Sequence, residues 1–247
     1  ALTEWTPIGN GYSNGYTGTF DGNNHTISGL YFNNENIDYV GLFGYNFFGT
    51  IKNVGIIDSY FKGRQWVGSV CGNNINGTIT NSYNTGSVSG SSSFIGGVCG
   101  DNYSKIENSY NTGSVSGLKD YVGGVCGYNS SNSTIENSYN TGSVSGSSNS
   151  VGGVCGWNYN GTITNSYNTG SVSGSGDNVG GVGGYNDGTI ANSYNTGLVS
   201  RSGWVGGVCG FNSGKIENSY YNNSVYSGKA VGYDKGTVTK VTGKTSE

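Results

Sequence analysis

The chain of 247 residues is long enough for one large domain or two small ones, and its composition narrows the class of fold. Glycine supplies 48 residues and there is only one proline, which excludes collagen. Charged residues make up only 10%, which excludes long charged helices. The 20 Tyr, 8 Phe and 4 Trp argue against a disordered chain. The net charge is −3 and the basic residues are scattered, so the chain offers no basic surface for nucleic acid. It shows no signal peptide and no apolar run of about 20 residues, so we expect no direct membrane insertion.

The N-terminal residues 1–38 differ from everything that follows them. They hold the only proline, Pro7, and the only histidine, His25. The run from Phe20 to Leu30 reads as one incomplete repeating unit, so this segment is predicted to form an N-terminal cap and a partial first coil. Acid–base catalysis needs a partner group within reach, and neither a triad nor a carboxylate pair surrounds His25, which is therefore predicted to lie in a turn or a cap.

Residues 39–229 are built from repeats of about 28 residues. The segment Asn-Ser-Tyr-Asn-Thr-Gly-Ser-Val-Ser-Gly occurs four times without change and twice in altered form. A second segment, Val-Gly-Gly-Val-Cys-Gly-x-Asn, leads each unit, and a third, x-Ile-x-Asn, lies between the two. The tyrosines of the first segment are Tyr83, Tyr110, Tyr139, Tyr167, Tyr194 and Tyr220.

Each unit predicts three short strands separated by turns of Gly, Asn and Ser. Thr-Ile-Thr and Ser-Val-Ser alternate polar and apolar residues, as strands with one buried face do. Strands this short bury a core only when each pairs with its copy in the next unit. The sequence thus predicts an all-β parallel β-solenoid, or β-helix, of about seven coils, with loops leaving the coil after Ser-Val-Ser-Gly. Residues 230–247 are expected to form a partial last coil or C-terminal cap of the same continuous domain.

The spaced motifs together resemble the GLUG repeat. The front pieces, from Trp5 to Leu30 and from Tyr39 to Gly44, are similar to segments that commonly precede such repeats, so the resemblance covers nearly the whole chain. It implies a bacterial extracellular or cell-surface protein, such as an adhesin or the non-catalytic repeat region of an IgA-specific metallopeptidase. The chain departs from the family in carrying cysteine where valine or another small apolar residue is usual.

The cysteines form one column of the predicted stack. Coils about 4.8 Å apart put equivalent Cα atoms within disulfide range, but parallel Cα–Cβ bonds keep the Cβ atoms farther apart than the ~3.8 Å of a disulfide. Each unit has at most one cysteine, so neither a metal site nor any cofactor is expected. We predict a buried structural ladder, interrupted at Gly183. Its members are Cys71, Cys99, Cys126, Cys155 and Cys209.

An asparagine follows the cysteine position by three residues in every unit. Asparagine tolerates the left-handed backbone of turns, and stacked amides bond from coil to coil, so these residues are predicted to be structural. The tyrosine of Asn-Ser-Tyr does not vary among six units and is predicted to form another structural ladder. Glu107, Glu136 and Glu217 are expected to face solvent. The asparagines are Asn46, Asn74, Asn102, Asn129, Asn158, Asn186 and Asn212.

Two columns of mixed aromatic and polar residues carry the only functional signal. The column two residues after the cysteine position ends in aromatic residues on four adjacent coils, which we expect to form an exposed ligand-binding strip, with packing or loop cover as the alternative. The second column precedes the cysteine position. On a straight strand the two columns point to opposite faces, and the sequence leaves open which one is buried. The candidate strip is Tyr128, Trp157, Tyr185 and Phe211, and the second column is Tyr39, Trp66, Phe94, Tyr121, Ser150, Asn178 and Trp204.

Three classes of function are open to such a solenoid. The first is a non-catalytic extracellular module, either an adhesin-like rod that binds a neutral polysaccharide or a host surface protein, or a spacer. Its alternative is the non-catalytic repeat region of a larger secreted peptidase. A polysaccharide-degrading enzyme needs clustered acids and bases, so no catalytic residue is predicted. An ice-binding solenoid needs a regular threonine array, which Lys105, Glu107 and Lys215 interrupt. The sequence favours the first class and leaves the ligand, the anchoring and the oligomeric state open.

Overall fold

The computed structural model describes residues 4–200 and 203–245, which form a parallel β-solenoid. Each strand pairs in parallel with its copies in the neighbouring coils, as Ile106 does with Ile79 and Ile135. Apart from the 3₁₀ turn Tyr12–Asn14, the described residues are strands, turns and bends. One sheet contributes a single strand to each coil and has seven strands, so the predicted all-β solenoid of about seven coils is confirmed.

The largest sheet has 20 strands and covers the wall that begins at the cysteine position. Two of its strands, Cys71–Thr80 and Cys99–Glu107, run through both the cysteine and the isoleucine positions. The other strands at the cysteine position are Phe43–Phe47, Cys126–Asn129, Cys155–Asn158, Gly183–Asn186, Cys209–Asn212 and Val231–Asp234; those at the isoleucine position are Thr19–Ser28, Thr50–Ile57, Thr134–Glu136, Thr162–Thr164, Thr189–Ala191, Lys215–Asn222 and Thr237–Lys244; those at the tyrosine position are Tyr83–Asn84, Tyr110–Asn111, Tyr139–Asn140, Tyr167–Asn168 and Tyr194–Asn195.

Two smaller sheets close the coil. A sheet of seven strands follows the Ser-Val-Ser segments, and a sheet of five strands follows the Val-Gly pair that leads each unit. The seven strands are Tyr31–Asn33, Tyr60–Gly63, Ser87–Gly90, Val115–Gly117, Val144–Gly146, Val172–Gly174 and Val199–Ser200; the five are Ile95–Gly96, Val122–Gly123, Val151–Gly152, Val179–Gly180 and Val205–Gly206.

Ladders of like apolar side chains fill the interior. Because equivalent residues pair in register, each inward side chain contacts its own copy in the coils above and below. The isoleucines form the most regular ladder, and all are fully buried, each burial contributing about 1.5–3 kcal/mol. This ladder comprises Ile51, Ile79, Ile106, Ile135, Ile163, Ile190 and Ile216.

The cysteine column is another of these inward ladders. All five cysteines are buried and free, and Cys99 pairs in register with Cys71 and Cys126. Each thiol donates to a backbone carbonyl two residues later, as Cys71 Sγ does to Asn73 O at 3.2 Å. Burial raises the pKa of the Cys71, Cys99 and Cys126 thiols, so they stay protonated and unreactive at neutral pH.

Two asparagine ladders link the coils by side-chain hydrogen bonds. In the first, which is fully buried, each Nδ2 donates to the Oδ1 one coil further on, from Asn46 to Asn212 at 2.7–2.9 Å. Its last amide donates to Asp234 Oδ1 at 2.7 Å. The second ladder runs from Asn84 to Asn195 at 2.7–2.8 Å. The structural role predicted for the first column is confirmed, because amides that are buried need such partners.

The two ends of the solenoid join it by the same pairing. Thr19–Ser28 pairs with Thr50–Ile57, and Thr237–Lys244 pairs with Lys215–Asn222. His25 lies exposed on the first of these strands, directly after Asn23 and Asn24, whose φ angles are 48° and 61°. The boundaries 1–38, 39–229 and 230–247 stay a prediction, and residues 1–3, 246 and 247 of the end segments lie outside the described residues.

Candidate ligand-binding face

The two aromatic columns lie on one face of the solenoid and contact each other. The expectation of opposite faces held only for a straight strand, and the chain is not straight between the two columns. Six members of the second column have left-handed backbone, with φ between 54° and 68°, so the chain bends at these residues. We call the first column inner and the second outer. The inner column is Tyr45, Asn73, Asp101, Tyr128, Trp157, Tyr185 and Phe211; the outer column is Tyr39, Trp66, Phe94, Tyr121, Ser150, Asn178 and Trp204.

The outer rings Tyr121 and Trp204 lean over the inner residues of their own coil and of the next one. The ring centroid of Tyr121 lies 6.0 Å from that of Tyr128 and 4.9 Å from that of Trp157. Trp204 likewise lies 5.6 Å from Phe211 and 4.9 Å from Tyr233. The outer column therefore decides how much of the inner column solvent reaches.

The inner column is less exposed than the sequence led us to expect. Tyr128, Trp157 and Tyr185 are half-buried. Phe211 is only 9% exposed, because Tyr185, Trp204 and Tyr233 all pack against it. Trp157 meets Tyr128 and Tyr185 edge to face at 5.3 and 5.4 Å, and only Tyr185 and Phe211 stack, at 4.6 Å. The four residues are thus adjacent, as predicted, but they do not present a row of parallel ring faces.

In the coils of Trp66 and Phe94, which we call the covered segment, the outer rings close over a polar inner column. Trp66 stacks between Tyr39 at 4.7 Å and Phe94 at 5.9 Å. The indole Nε1 of Trp66 donates to Asp101 Oδ2 at 3.1 Å, and Oδ1 of Asp101 has no hydrogen-bond partner in the part of the chain that the structure describes. Burial raises the pKa of Asp101 to about 8, against the opposing effect of the Trp66 hydrogen bond. The Asp101 carboxyl is therefore mostly protonated at neutral pH.

In the coils of Ser150 and Asn178, which we call the open segment, small polar residues stand where other coils have rings. A cleft of about 350 Å³ opens there, with Trp157 and Tyr185 among its lining residues. Tyr121 lines the cleft on the N-terminal side and Trp204, which is 42% exposed, on the C-terminal side. The cleft thus exposes inner rings that the covered segment would hide.

Polar groups also line this cleft. Asp120 Oδ1 accepts hydrogen bonds from Ser148 Oγ at 2.6 Å and from the backbone N–H of Asn149 at 2.9 Å, which fixes the carboxylate in place. Asn178 is 8% exposed, and its Oδ1 lacks a hydrogen-bond partner among residues 4–200 and 203–245. Asp177 lines the cleft as a second carboxylate. Apolar rings with a few fixed polar groups are typical of small-ligand sites.

Sequence reasoning missed this cleft, although a signal for it was present. The outer column reads aromatic in four successive coils and then small in two, at Ser150 and Asn178, before it returns to Trp204. Asp120 and Asn149 gave no such signal, because they lie in the loops after Ser-Val-Ser-Gly, where the units differ in length.

The tyrosine ladder lies apart from this face. The rings from Tyr83 to Tyr194 stack 4.7–4.8 Å apart and within 4° of parallel, so each face is covered by the next ring. This confirms the prediction of a structural ladder. Beyond it, Lys244 Nζ lies 3.8 Å from the centroid of Tyr220.

The carboxylates away from the cleft are dispersed. Glu107 and Glu136 pair in register on adjacent coils, and Lys105 Nζ lies 2.8 Å from Glu107 Oε2. Within the described residues no three His, Cys, Asp or Glu side chains lie close enough to hold a metal ion. That same part of the chain has no helix long and apolar enough to cross a bilayer.

Comparison with known proteins agrees with this architecture. The fold is that of a β-solenoid repeat protein. The GLUG motif family matches residues 120–145 and 147–173, which agrees with the resemblance of the repeats to the GLUG motif. The crystal structure of a Bacteroides ovatus protein described as a "putative immunoglobulin A1 protease" superposes with a TM-score of 0.60 at 23% identity, over 99% of this chain and 74% of that one. At this identity the likeness shows the fold alone. No curated protein matches the chain.

Proposed function

We propose that this chain is a non-catalytic module of a larger secreted or cell-surface bacterial protein, and that its aromatic face binds a neutral polysaccharide. The observation that supports binding is the gathering of both aromatic columns on one face, with the half-buried Trp157 and Tyr185 lining a cleft. Aromatic rings combine a large apolar area with rigidity, which suits them to the C–H faces of sugar rings. The GLUG repeats and the fold support a repeat module.

The shape of the face suits an extended ligand. Adjacent inner rings from Tyr128 to Phe211 have centroids 4.6–5.4 Å apart along the stack, a step close to the length of one sugar residue. A solenoid repeats such a step from coil to coil, so successive residues of a polymer would meet similar surroundings. The net charge of −3 favours a neutral polymer over an anionic one.

Two other roles remain as alternatives with different expectations. A host surface protein would need an interface larger than the cleft, and a spacer would need no ligand at all. The Bacteroides ovatus structure, described as a protease, supports the alternative that the chain is the non-catalytic repeat region of a secreted peptidase. Glycan binding is compatible with that alternative, because the catalytic residues would lie elsewhere in the larger protein.

The proposal is tested by glycan-array binding of the wild-type chain and two alanine variants. Trp204→Ala removes a ring of the face that is 42% exposed, and Tyr194→Ala removes one of the tyrosine ladder that is 39% exposed. We expect the wild type to bind neutral glycans, Trp204→Ala to bind about tenfold more weakly, and Tyr194→Ala to be unaffected. Trp157→Ala is less informative, because Trp157 packs against both neighbouring rings and its loss would also change stability.

Circular dichroism of each variant serves as the control for folding. If the wild type binds no glycan, or if Trp204→Ala and Tyr194→Ala bind equally well, the polysaccharide proposal is wrong. Binding to a protein array under the same conditions would then point to a host protein, and no binding to either would point to a spacer.

A further inference from the structure

The cleft of the open segment differs from the rest of the aromatic face in shape and in polarity. We propose that it is the subsite that seats a single neutral hexose residue and rejects an anionic one, an inference that rests on the proposed function.

The space in the cleft corresponds to rings that are missing from the outer column. Tyr121 covers Tyr128 and Trp157, and by the same geometry a ring at position 150 would cover Trp157 and Tyr185. Serine there leaves that volume open, and Asn178 leaves the neighbouring one partly open, to give about 350 Å³. This volume lies at the small end of ligand pockets and suits one sugar ring with its substituents.

Apolar and hydrogen-bonding groups meet in this space as a sugar requires. The rings of Trp157, Tyr185 and Trp204 provide apolar surface for the faces of a hexose. The Asp120 carboxylate uses two of its roughly four lone-pair sites for Ser148 and Asn149, so it can also accept bonds from sugar hydroxyls. Asn178 Oδ1 lacks a donor among the described residues, and a hydroxyl in the cleft would supply one after a small rotation of the amide.

Charge sets the selectivity of the cleft. The Asp120 carboxylate lines it, held in place by Ser148 and by the backbone of Asn149. A uronic or sialic acid residue would bring its carboxylate close to that of Asp120, and this repulsion is only partly screened at physiological ionic strength. A neutral hexose meets no such penalty.

The test compares ring insertion at two serines. Ser150→Tyr restores the missing ring; its φ of 62° is close to the 66° of Tyr121, so the backbone already accepts tyrosine. Ser173→Tyr makes the same change on an exposed strand outside the face, where the paired residues are Ser145 and Ser200. Binding of maltohexaose, cellohexaose and hexagalacturonate is measured by isothermal titration calorimetry with the whole chain.

We expect at least one neutral hexasaccharide to bind and hexagalacturonate to bind at least about tenfold more weakly. Ser150→Tyr should weaken neutral binding by about tenfold or more, and Ser173→Tyr should leave it unchanged. Asp120→Asn keeps the shape of the cleft and removes a charge, so it should reduce the preference for neutral hexasaccharides over hexagalacturonate. This variant tests the proposal even if Ser150→Tyr does not fold.

The outcomes separate this inference from the function on which it rests. If Ser150→Tyr binds as well as wild type, the subsite is wrong, although a glycan would still bind elsewhere on the face. If the array is positive but neither neutral hexasaccharide binds, or if hexagalacturonate binds more tightly, the chemistry assigned to the cleft is wrong. If the array is negative as well, both proposals fall.

Discussion

The covered and open segments are built from the same repeat and differ in which column carries the rings. In the covered segment Trp66 and Phe94 lie over the polar Asn73 and Asp101. In the open segment the order is reversed, with Ser150 and Asn178 beside the inner rings. One side chain per coil therefore decides whether a ring is buried or exposed, while the backbone and the core ladders stay constant.

The two arrangements also differ in their energetic consequences. The covered segment buries a carboxyl group, which is costly unless the group is neutral and hydrogen-bonded, and here one of its oxygens lacks a partner in the described chain. The open segment keeps apolar rings in contact with water, which forgoes hydrophobic stabilisation that a covering ring would add. The first arrangement is suited to structure and the second to binding.

The largest effect is expected from the buried carboxyl of the covered segment. The pKa of Asp101 is raised from 3.8 to about 8 by burial, so between about pH 4 and pH 8 the folded chain holds a proton that the unfolded chain releases. The free energy of unfolding should therefore fall as the pH rises through this window, by several kcal/mol at about 1.4 kcal/mol per pKa unit. Urea denaturation followed by circular dichroism at a series of pH values measures the slope.

The control for this effect is Asp101→Asn, since Asn73 already occupies the equivalent position one coil earlier. An amide does not titrate, so the variant should show a flatter profile between pH 4 and pH 8. Parallel profiles for the two proteins would mean that the Asp101 carboxyl is ionised in the folded state and that burial does not govern it.

A smaller effect should distinguish two tryptophans of the same column. Trp66→Ala removes a ring stacked on both sides and the one hydrogen bond that the described chain gives to the Asp101 carboxyl group, so unfolding should become easier by about 2–4 kcal/mol. Trp204→Ala removes a ring that is 42% exposed, and about 1 kcal/mol is expected. If denaturation at one pH shows that both variants lose the same free energy of unfolding, covered and exposed rings do not differ in their contribution to stability.

The sequence was sufficient for the fold and for the core, but not for the site. Period, turn residues and alternation predicted the solenoid, the inward cysteines and the asparagine ladder, because each follows from local chemistry repeated in register. The relation between the two aromatic columns depends on left-handed backbone at residues such as Trp66 and Phe94. Aromatic residues rarely adopt that conformation, so the local sequence did not predict the bend. Asp120 lies on a loop beside the cleft, and the repeat does not determine the path of that loop.

The smallest expected effect concerns the stability of the open segment itself. Ser150→Tyr should place a ring over Trp157 and Tyr185, as Tyr121 does one coil earlier, and so raise the free energy of unfolding by about 0.5–1.5 kcal/mol.

Asn178→Tyr adds a similar ring at a φ of 65° but gives up the better tolerance of asparagine for left-handed backbone, so its gain should be close to zero. Ser173→Tyr, with serines on both paired strands, should change nothing. Thermal melts of the three variants, each beside wild type, measure these differences. If Ser150→Tyr is more stable than wild type and binds glycan less well, the open cleft serves binding at a cost in stability. Destabilisation of a folded Ser150→Tyr would instead mean that serine is there because a ring does not fit.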